Sequence, residues 1–362
     1  MPKSKKQLKS AVIGCGGIAE GKHLPASSTV PEVAFTSFCD IIPERAAKCA
    51  AKYGAEGART YLNYKELLEK EKPDAVHVLT PNISHAEITI AALEAGAHVI
   101  CEKPMAKTAA DAKRMCETAK KTGKLLTIGY QNRYSPASLY LKKMCARGDL
   151  GEIYFAKAHA VRRRAVPTWG VFLDEEKQGG GPLIDIGTHA LDLTLYMMDN
   201  YKPKSVTGTT YKKLGGLRES GNAWGDWDVD KFTVEDSAFG FITMEDGATI
   251  ILESSWALNT LEVRESCCSL CGTKAGADTT DGLRINYSDM GKLVTLKPEL
   301  ASGGVAFYEG ASNKPEDIEA HIFYSAIQNG TPLTVLPEQA LVVSQLLEAI
   351  YESARTGKPY VF

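Results

Sequence analysis

Short unbroken apolar runs alternate with stretches of helical period through the first third of the chain. Leu8–Ile13, Val33–Cys39, Ala75–Leu79, Ala97–Cys101 and Leu125–Gly129 show little alternation between apolar and polar positions. Strands covered on both faces read this way, which suits a parallel sheet. Helices are expected between them. Pro43–Tyr53 opens with a proline in its first turn. Ser84–Ala95 begins on a serine suited to cap it and stops before Gly96. Thr108 and Asp111 have capping-box spacing at the head of Thr108–Thr122, and Gly123 ends that helix. Strand and helix in turn predict a doubly wound α/β domain over residues 1–130.

The texture changes after about Tyr130. A helix over Ser135–Arg147 leads into a long strand, Glu152–Arg164, and the glycines Gly179–Gly181 precede a helix running through Met198. Strand-like alternation occupies Lys204–Lys297, broken by turns such as Glu245-Asp246-Gly247. Helical period returns at Pro315–Asn329 and Pro337–Thr356. This order predicts an α+β domain over residues 131–362, built on a large, mostly antiparallel sheet. The stretch Gly221–Asp230, rich in Gly, Asp and Trp, has the makeup of a mobile or substrate-shaping loop.

Two domains suit a chain of 362 residues, each long enough to bury a core. With 42 basic against 44 acidic residues the net charge is −2, which offers no field to draw nucleic acid or an acidic membrane. Lys3, Lys5, Lys6 and Lys9 cluster without the apolar stretch of a signal peptide, so they read as a solvated tail. No apolar run reaches transmembrane length, and a cytoplasmic protein is expected. Nine cysteines, an odd number scattered along the chain, fit reduced thiols better than a disulfide framework. Cys267, Cys268 and Cys271 include a C-x-x-C, but no second ligand pair stands nearby. Small apolar strand residues, with no metal, are expected there.

Candidate chemistry begins where the first strand ends. Gly14-Cys15-Gly16-Gly17-Ile18-Ala19 matches G-x-G-x-x-[G/A], whose glycines permit a tight turn and a close approach of backbone to a pyrophosphate. Alone the pattern is weak, because glycine turns after strands are common. Asp40 strengthens it by closing the second strand about 20 residues on, where a carboxylate accepts from a ribose 2′-hydroxyl. That charge also repels a 2′-phosphate, so NAD is expected ahead of NADP. Arg45 nearby could soften this preference or stack on adenine; it also reads as a solvated helix residue. Thr80-Pro81-Asn82 lie at the carboxyl edge of their strand, where such sheets bind ligands. His85, on the next helix, is either within reach of a cofactor or incidental to a capped helix.

Glu102-Lys103-Pro104 follows the strand Ala97–Cys101 directly. A lysine emerging beside a nicotinamide site has its pKa lowered by burial and by the positive ring, which suits proton transfer. The alternative is a surface lysine in a strand-to-helix turn. Further on, Asp185, His189 and Asp192 stand at i, i+4 and i+7 on one face of an otherwise apolar helix. Buried carboxylates are costly without partners, so this stripe should line a wet pocket or touch a ligand. Histidine exchanges protons near neutral pH, and a neighbouring aspartate orients it. A structural Asp–His network is the other reading.

With these motifs the sequence resembles the glucose–fructose oxidoreductase/inositol dehydrogenase (Gfo/Idh/MocA) family over nearly its whole length. The resemblance is carried by Gly14–Ala19, Asp40, Thr80-Pro81-Asn82, Glu102-Lys103-Pro104 and Asp185-x-Gly187-x-His189-x-x-Asp192. It implies an N-terminal Rossmann domain that holds NAD through Gly14, Gly16, Gly17, Ile18, Asp40, Arg45, Thr80, Pro81, Asn82, His85, Glu102 and Lys103. It also implies that Lys103, Asp185 and His189 meet at the nicotinamide as the catalytic set. In that set His189 is the general base, Lys103 polarises the oxygen and Asp185 holds the imidazole or a second hydroxyl, with Lys103 and His189 able to exchange roles. A large open sheet in the second domain would pair subunits into a homodimer or homotetramer.

Substrate clues are thinner. Arg133 and Tyr134 lie just past the last strand of the first domain, Arg162–Arg164 and Trp169 precede the glycine stretch, and Trp256 and Asn259 end another strand. Rings beside hydrogen-bonding groups suit sugar faces, though each alone is as readily core or surface. Arg133, Tyr134, Arg163 and Trp169, with Asp185 and His189, are the expected substrate contacts. Similarity to family members acting on pyranosides or cyclitols points to oxidation of a secondary hydroxyl of a sugar, glycoside or cyclitol, leaning to C3 of a glucoside-type pyranoside. Two rivals stay open: a glycosidase of the same family that oxidises its sugar transiently, and a non-catalytic dinucleotide-binding regulator. The intact Lys103, Asp185 and His189 speak against the regulator.

Overall fold

A computed structural model describes residues 7–218, 221–300 and 314–362. Lys3, Lys5 and Lys6 of the expected solvated tail lie outside the described residues. The described chain divides into two compact units, residues 7–134 with 314–341, and residues 135–218 and 221–300 with 342–362. The first unit thus takes in a late segment that a single boundary at residue 130 leaves out.

In the first unit, β1 (Leu8–Ile13), β2 (Val33–Cys39), β3 (Gly54–Tyr61), β4 (Ala75–Val78), β5 (His98–Cys101) and β6 (Leu126–Ile128) form one sheet in the order β3-β2-β1-β4-β5-β6. Every pairing is parallel. The order reverses between β1 and β4, the switch point at which doubly wound sheets bind ligands. Val12, Phe38, Val76, Val99 and Ile100 are buried between covering helices, as unbroken apolar runs require. β3 has no such run; as an edge strand it keeps most of its residues half-buried or exposed.

Local signals set the helices. Thr108 Oγ1 accepts from the Asp111 N–H, and Gly123 closes that helix at φ +65°, in the left-handed region. Ser84 behaves differently from the expected cap. Its hydroxyl donates to Pro81 O and Thr80 Oγ1, and a short 3₁₀ turn, Asn82–Ser84, precedes the helix His85–Glu94. The late helix Pro315–Asn329 lays Ala320, Phe323 and Tyr324 against Leu8, Ala26 and Ile100.

The second unit carries β7 (Ile153–Val161), β8 (Pro203–Tyr211), β9 (Ser237–Met244), β10 (Thr249–Ser255), β11 (Arg264–Gly272), β12 (Ala275–Asp278), β13 (Arg284–Asp289), β14 (Lys292–Leu296) and β15 (Tyr360–Val361). They form a sheet in the order β14-β13-β12-β11-β7-β10-β9-β8-β15. Only β7 and β10 pair in parallel. The helix Thr188–Met198 packs on β7 and β11, where Ala156, Ala158 and Ala160 let it approach closely. Cys267 and Cys268 are buried in β11 and Cys271 is half-buried; all three are free thiols.

Candidate active site

At the end of β1, Gly14 turns the chain at φ +94°, and a Cβ there would stand 2.6 Å from the Leu79 carbonyl. Only glycine fits that approach. Gly16 and Gly17 have open space where a Cβ would be, leaving their backbone accessible. Asp40 Oδ2 accepts from the Cys15 N–H at 2.8 Å, and Oδ1 accepts from the Ile42 N–H at 2.8 Å. The carboxylate therefore closes β2 and pins the glycine turn. Ile18 is exposed beside it, and Arg45 is exposed on its helix. An open glycine turn braced by a carboxylate fits the diphosphate and ribose of a dinucleotide.

The Glu102-Lys103-Pro104 turn is held from below. Glu102 is buried; its Oε2 accepts from the Lys103 N–H at 3.0 Å. Its Oε1 accepts from Lys22 Nζ at 2.9 Å and lies 2.8 Å from His23 Nε2. Lys22 also pairs with Glu319 Oε2 at 3.2 Å. Burial pushes the Glu102 carboxyl up, but Lys22 and His23 outweigh it and hold it well below the usual carboxylate range. Burial wins at Glu319, whose pKa is raised. Beyond His23, a buried row continues from His77 Nε2 to Tyr324 OH at 2.7 Å and on to Ser10 Oγ at 2.9 Å.

Two residues expected at the cofactor have another task. Glu102 spends its oxygens on Lys22, His23 and the Lys103 backbone, which makes it a support for Lys103. His85 is buried with Nε2 2.8 Å from Thr80 O and Nδ1 2.8 Å from Pro104 O. Burial lowers its proton affinity despite these carbonyls. The neutral ring then donates to one of them at a time, bracing the Thr80 and Pro104 turns together. Thr80 is half-buried, Pro81 exposed and Asn82 buried.

In the second unit, Gly179–Gly181 leads into a widened π turn, Leu183–Gly187, and then the α-helix Thr188–Met198. The expected single α-helical face is therefore interrupted. Asp185 sits in the π turn; His189 and Asp192 sit in the α-helix. Asp192 and His189 are buried, Asp185 half-buried. Trp256, immediately after β10, donates its indole N–H to Asp185 Oδ2 at 3.0 Å. Ser254 Oγ donates to Pro182 O at 2.8 Å and comes within 3.0 Å of where a Gly187 Cβ would be.

Glu235 fixes the start of the same turn. Its Oε2 accepts from the Gly181 N–H at 2.8 Å, and Oε1 accepts from the Leu183 N–H at 3.1 Å and the Tyr351 hydroxyl at 2.8 Å. Burial pushes this carboxyl up to about 7 against all three donors. Neither Glu235 nor Tyr351 carries a motif, and neither was expected here.

The expected substrate contacts separate. Residues 162–165 leave β7 beside Trp256, with Ala165 N–H donating to Trp256 O at 2.9 Å. Trp169 follows, half exposed and edge-on to Phe172, which packs edge-on to Trp256. Arg163 is exposed in this stretch. Arg133 and Tyr134 are corrected. Arg133 is wholly buried, its guanidinium donating to Thr334 O at 2.9 Å and Gln339 Oε1 at 2.7 Å, and Tyr134 is buried as well. Both stabilise the first unit from inside and present no side chain to a ligand.

Residues 8–130 match the oxidoreductase family with an NAD-binding Rossmann fold, and residues 138–278 match the GFO/IDH/MocA C-terminal domain. The chain belongs to the GFO/IDH/MocA oxidoreductases. It is 38% identical to D-glucoside 3-dehydrogenase of Escherichia coli K12 over 350 residues, 97% of this chain and 96% of that one. Inositol 2-dehydrogenase of Salmonella typhimurium is 32% identical over 163 residues, 45% of this chain and 48% of that one. Levoglucosan dehydrogenase in complex with NADH and levoglucosan has the same fold, with a TM-score of 0.82 at 22% identity, covering 98% of this chain and 99% of that one.

As a GFO/IDH/MocA member the chain is an NAD-binding oxidoreductase. The glycine turn, Asp40 and Lys103 fall in the first match; Asp185, His189, Glu235 and Trp256 fall in the second. Among the described residues no helix is long and apolar enough to cross a membrane.

Proposed function

We propose that this GFO/IDH/MocA member oxidises a secondary hydroxyl of a glucoside-type sugar, at C3, with NAD as the acceptor. The match to D-glucoside 3-dehydrogenase along 97% of the chain carries this reading. NAD, when bound, takes the hydride from the carbinol carbon. The protein's own residues hold the sugar and take the hydroxyl proton as the C=O bond forms. His189 is the general base for that proton. Lys103 polarises the oxygen and stabilises the charge that develops on it. Asp185, one oxygen already held by Trp256, orients the imidazole or a neighbouring hydroxyl. Arg163 and Trp169, in the stretch that leaves β7 beside Trp256, complete the substrate contacts. Asp40, at the end of β2, supports NAD over NADP.

The proposal includes a homodimer or homotetramer formed through the second unit's sheet. Register sets Ile251 beside Phe241, and Glu253 beside Phe239, on the face opposite the buried Gly240, Ile242 and Leu252. Phe241, half exposed on this face with Phe239 and Ile251 near it, favours pairing with a second copy. Free thiols at all nine cysteines support a cytoplasmic location.

Replacing Lys103 by Met tests the assignment. NADH formation from methyl glucoside should nearly vanish while NAD still binds. A K103M variant with wild-type turnover removes the lysine from the mechanism.

A further inference from the structure

Three of the four tryptophans join a ladder of rings that starts on Asp185. Trp256, bonded to the Asp185 carboxylate, lies edge-on to Phe172 with centroids 6.3 Å apart. Phe172 meets Trp169 at 6.0 Å, and Trp169 meets Trp224 at 5.0 Å with the planes 70° apart. The innermost ring is fully buried, whereas Trp169 is 53% and Trp224 42% exposed. Three ring-to-ring steps thus lead outward from the catalytic carboxylate to a corner of two open indoles.

That corner is built, and its second ring comes from the stretch expected to be a mobile or substrate-shaping loop. Ala223 N–H donates to Arg164 O at 3.1 Å. Val166 N–H donates to Asn222 Oδ1 at 2.8 Å, and Asn222 Nδ2 returns a bond to Val166 O at 3.0 Å. Thr168 Oγ1 donates to Trp224 O at 3.0 Å. The guanidinium of Arg162 lies 5.1 Å from the Trp224 ring centre and is itself fixed by Glu265. Two large apolar rings are held in solvent by specific bonds, at a hydrophobic cost that core packing does not repay. A small aromatic corner continuous with a catalytic carboxylate suits a small ligand better than a protein surface.

We propose that Trp169 and Trp224 form an outer subsite for a second pyranose ring, the one glycosidically joined to the sugar oxidised at Asp185. This rests on the sugar-oxidation reading above. The C–H face of a pyranose lies on an indole, while its hydroxyls meet polar groups at the rim, here Thr168, Arg162 and the Arg164–Asn259 pair. Trp169 and Trp224 stand two and three rings outward from Trp256, so a sugar held at Asp185 leaves them to the ring joined to it. The chain is accordingly a dehydrogenase of glycosides whose aglycone is itself a sugar.

The test compares a glucose disaccharide with methyl glucoside, using full-length wild type, W224A and W224F. Wild type should show a kcat/KM about tenfold higher for the disaccharide, the scale of one stacked ring. W224A should cut that ratio at least about fivefold, through KM, and W224F should retain part of it. Equal use of both substrates by wild type, or a ratio that W224A leaves unchanged, overturns the subsite. If neither substrate yields NADH, the oxidation reading fails by itself. Calorimetric titration of the disaccharide into NADH-loaded protein then decides the subsite. Binding weakened in W224A upholds it; binding equal in both proteins, or absent from both, overturns it.

Discussion

The indole N–H of Trp256 donates to Asp185 Oδ2 across 3.0 Å, from a side chain that is wholly buried. One oxygen of the carboxylate is therefore fixed by the sheet, through the residue that follows β10, and its direction is set before any ligand arrives. Such preorganisation is what a hydroxyl-orienting carboxylate requires.

Trp256→Phe keeps the ring and removes the donor. A hydrogen bond to a carboxylate contributes about 2 kcal/mol, so kcat should fall about 30-fold. The NAD dissociation constant should stay within about twofold, since the glycine turn is untouched. Steady-state kinetics beside NAD titration measures both; weakened NAD binding with full turnover would count against this role.

Glu235 makes stability depend on pH in a definite direction. Burial raises its folded carboxyl from 4.5 to about 7, so the folded chain binds this proton more tightly than the unfolded chain. Its contribution is most favourable below pH 4.5 and is lost as pH rises towards 7, amounting to about 3 kcal/mol. E235Q, which cannot titrate, should lack that decline. Urea unfolding of both proteins across this range is the check, and parallel stability curves would rule the assignment out.

Lys22 and Glu102 should be strongly coupled. K22M alone strands the buried Glu102 and Glu319 carboxylates, at a cost of about 3–5 kcal/mol, whereas E102Q alone leaves Lys22 paired with Glu319 and costs less. In the double variant K22M/E102Q the cost should fall short of the sum by at least about 1 kcal/mol. Denaturant unfolding of the four proteins gives the coupling; additive losses would show that the pair acts independently.

The parallel sheet was legible because β1, β2, β4, β5 and β6 are buried on both faces and spell it in apolar runs. β3 was not, since an edge strand such as Gly54–Tyr61 needs no such run. Lys103, Asp185 and His189 stand in local motifs, so the family resemblance could be carried by them. Their supports could not be found that way. Trp256 reaches Asp185 across 71 positions of sequence, and Tyr351 reaches Glu235 across 116. Only strand pairing and helix docking bring them together, and neither leaves a local pattern. The π turn at Leu183–Gly187 is hidden for a related reason, because i, i+4, i+7 spacing looks the same whether or not a turn is widened. Arg133 misled in the opposite sense: a cation just past a strand end suggests a ligand, yet its guanidinium is spent on Thr334 and Gln339.

Net oxidation of a glucoside at C3 leaves a product that can be identified atom by atom. Incubating the NAD-loaded protein with methyl glucoside and following the sugar by carbon NMR tests it directly. The expected product is a ketone at C3 with the glycosidic bond intact, and one NADH for each ketone formed. Free glucose and methanol without net NADH would instead make the chain a glycosidase, and an unchanged glucoside beside tightly bound NAD would make it a non-catalytic binder.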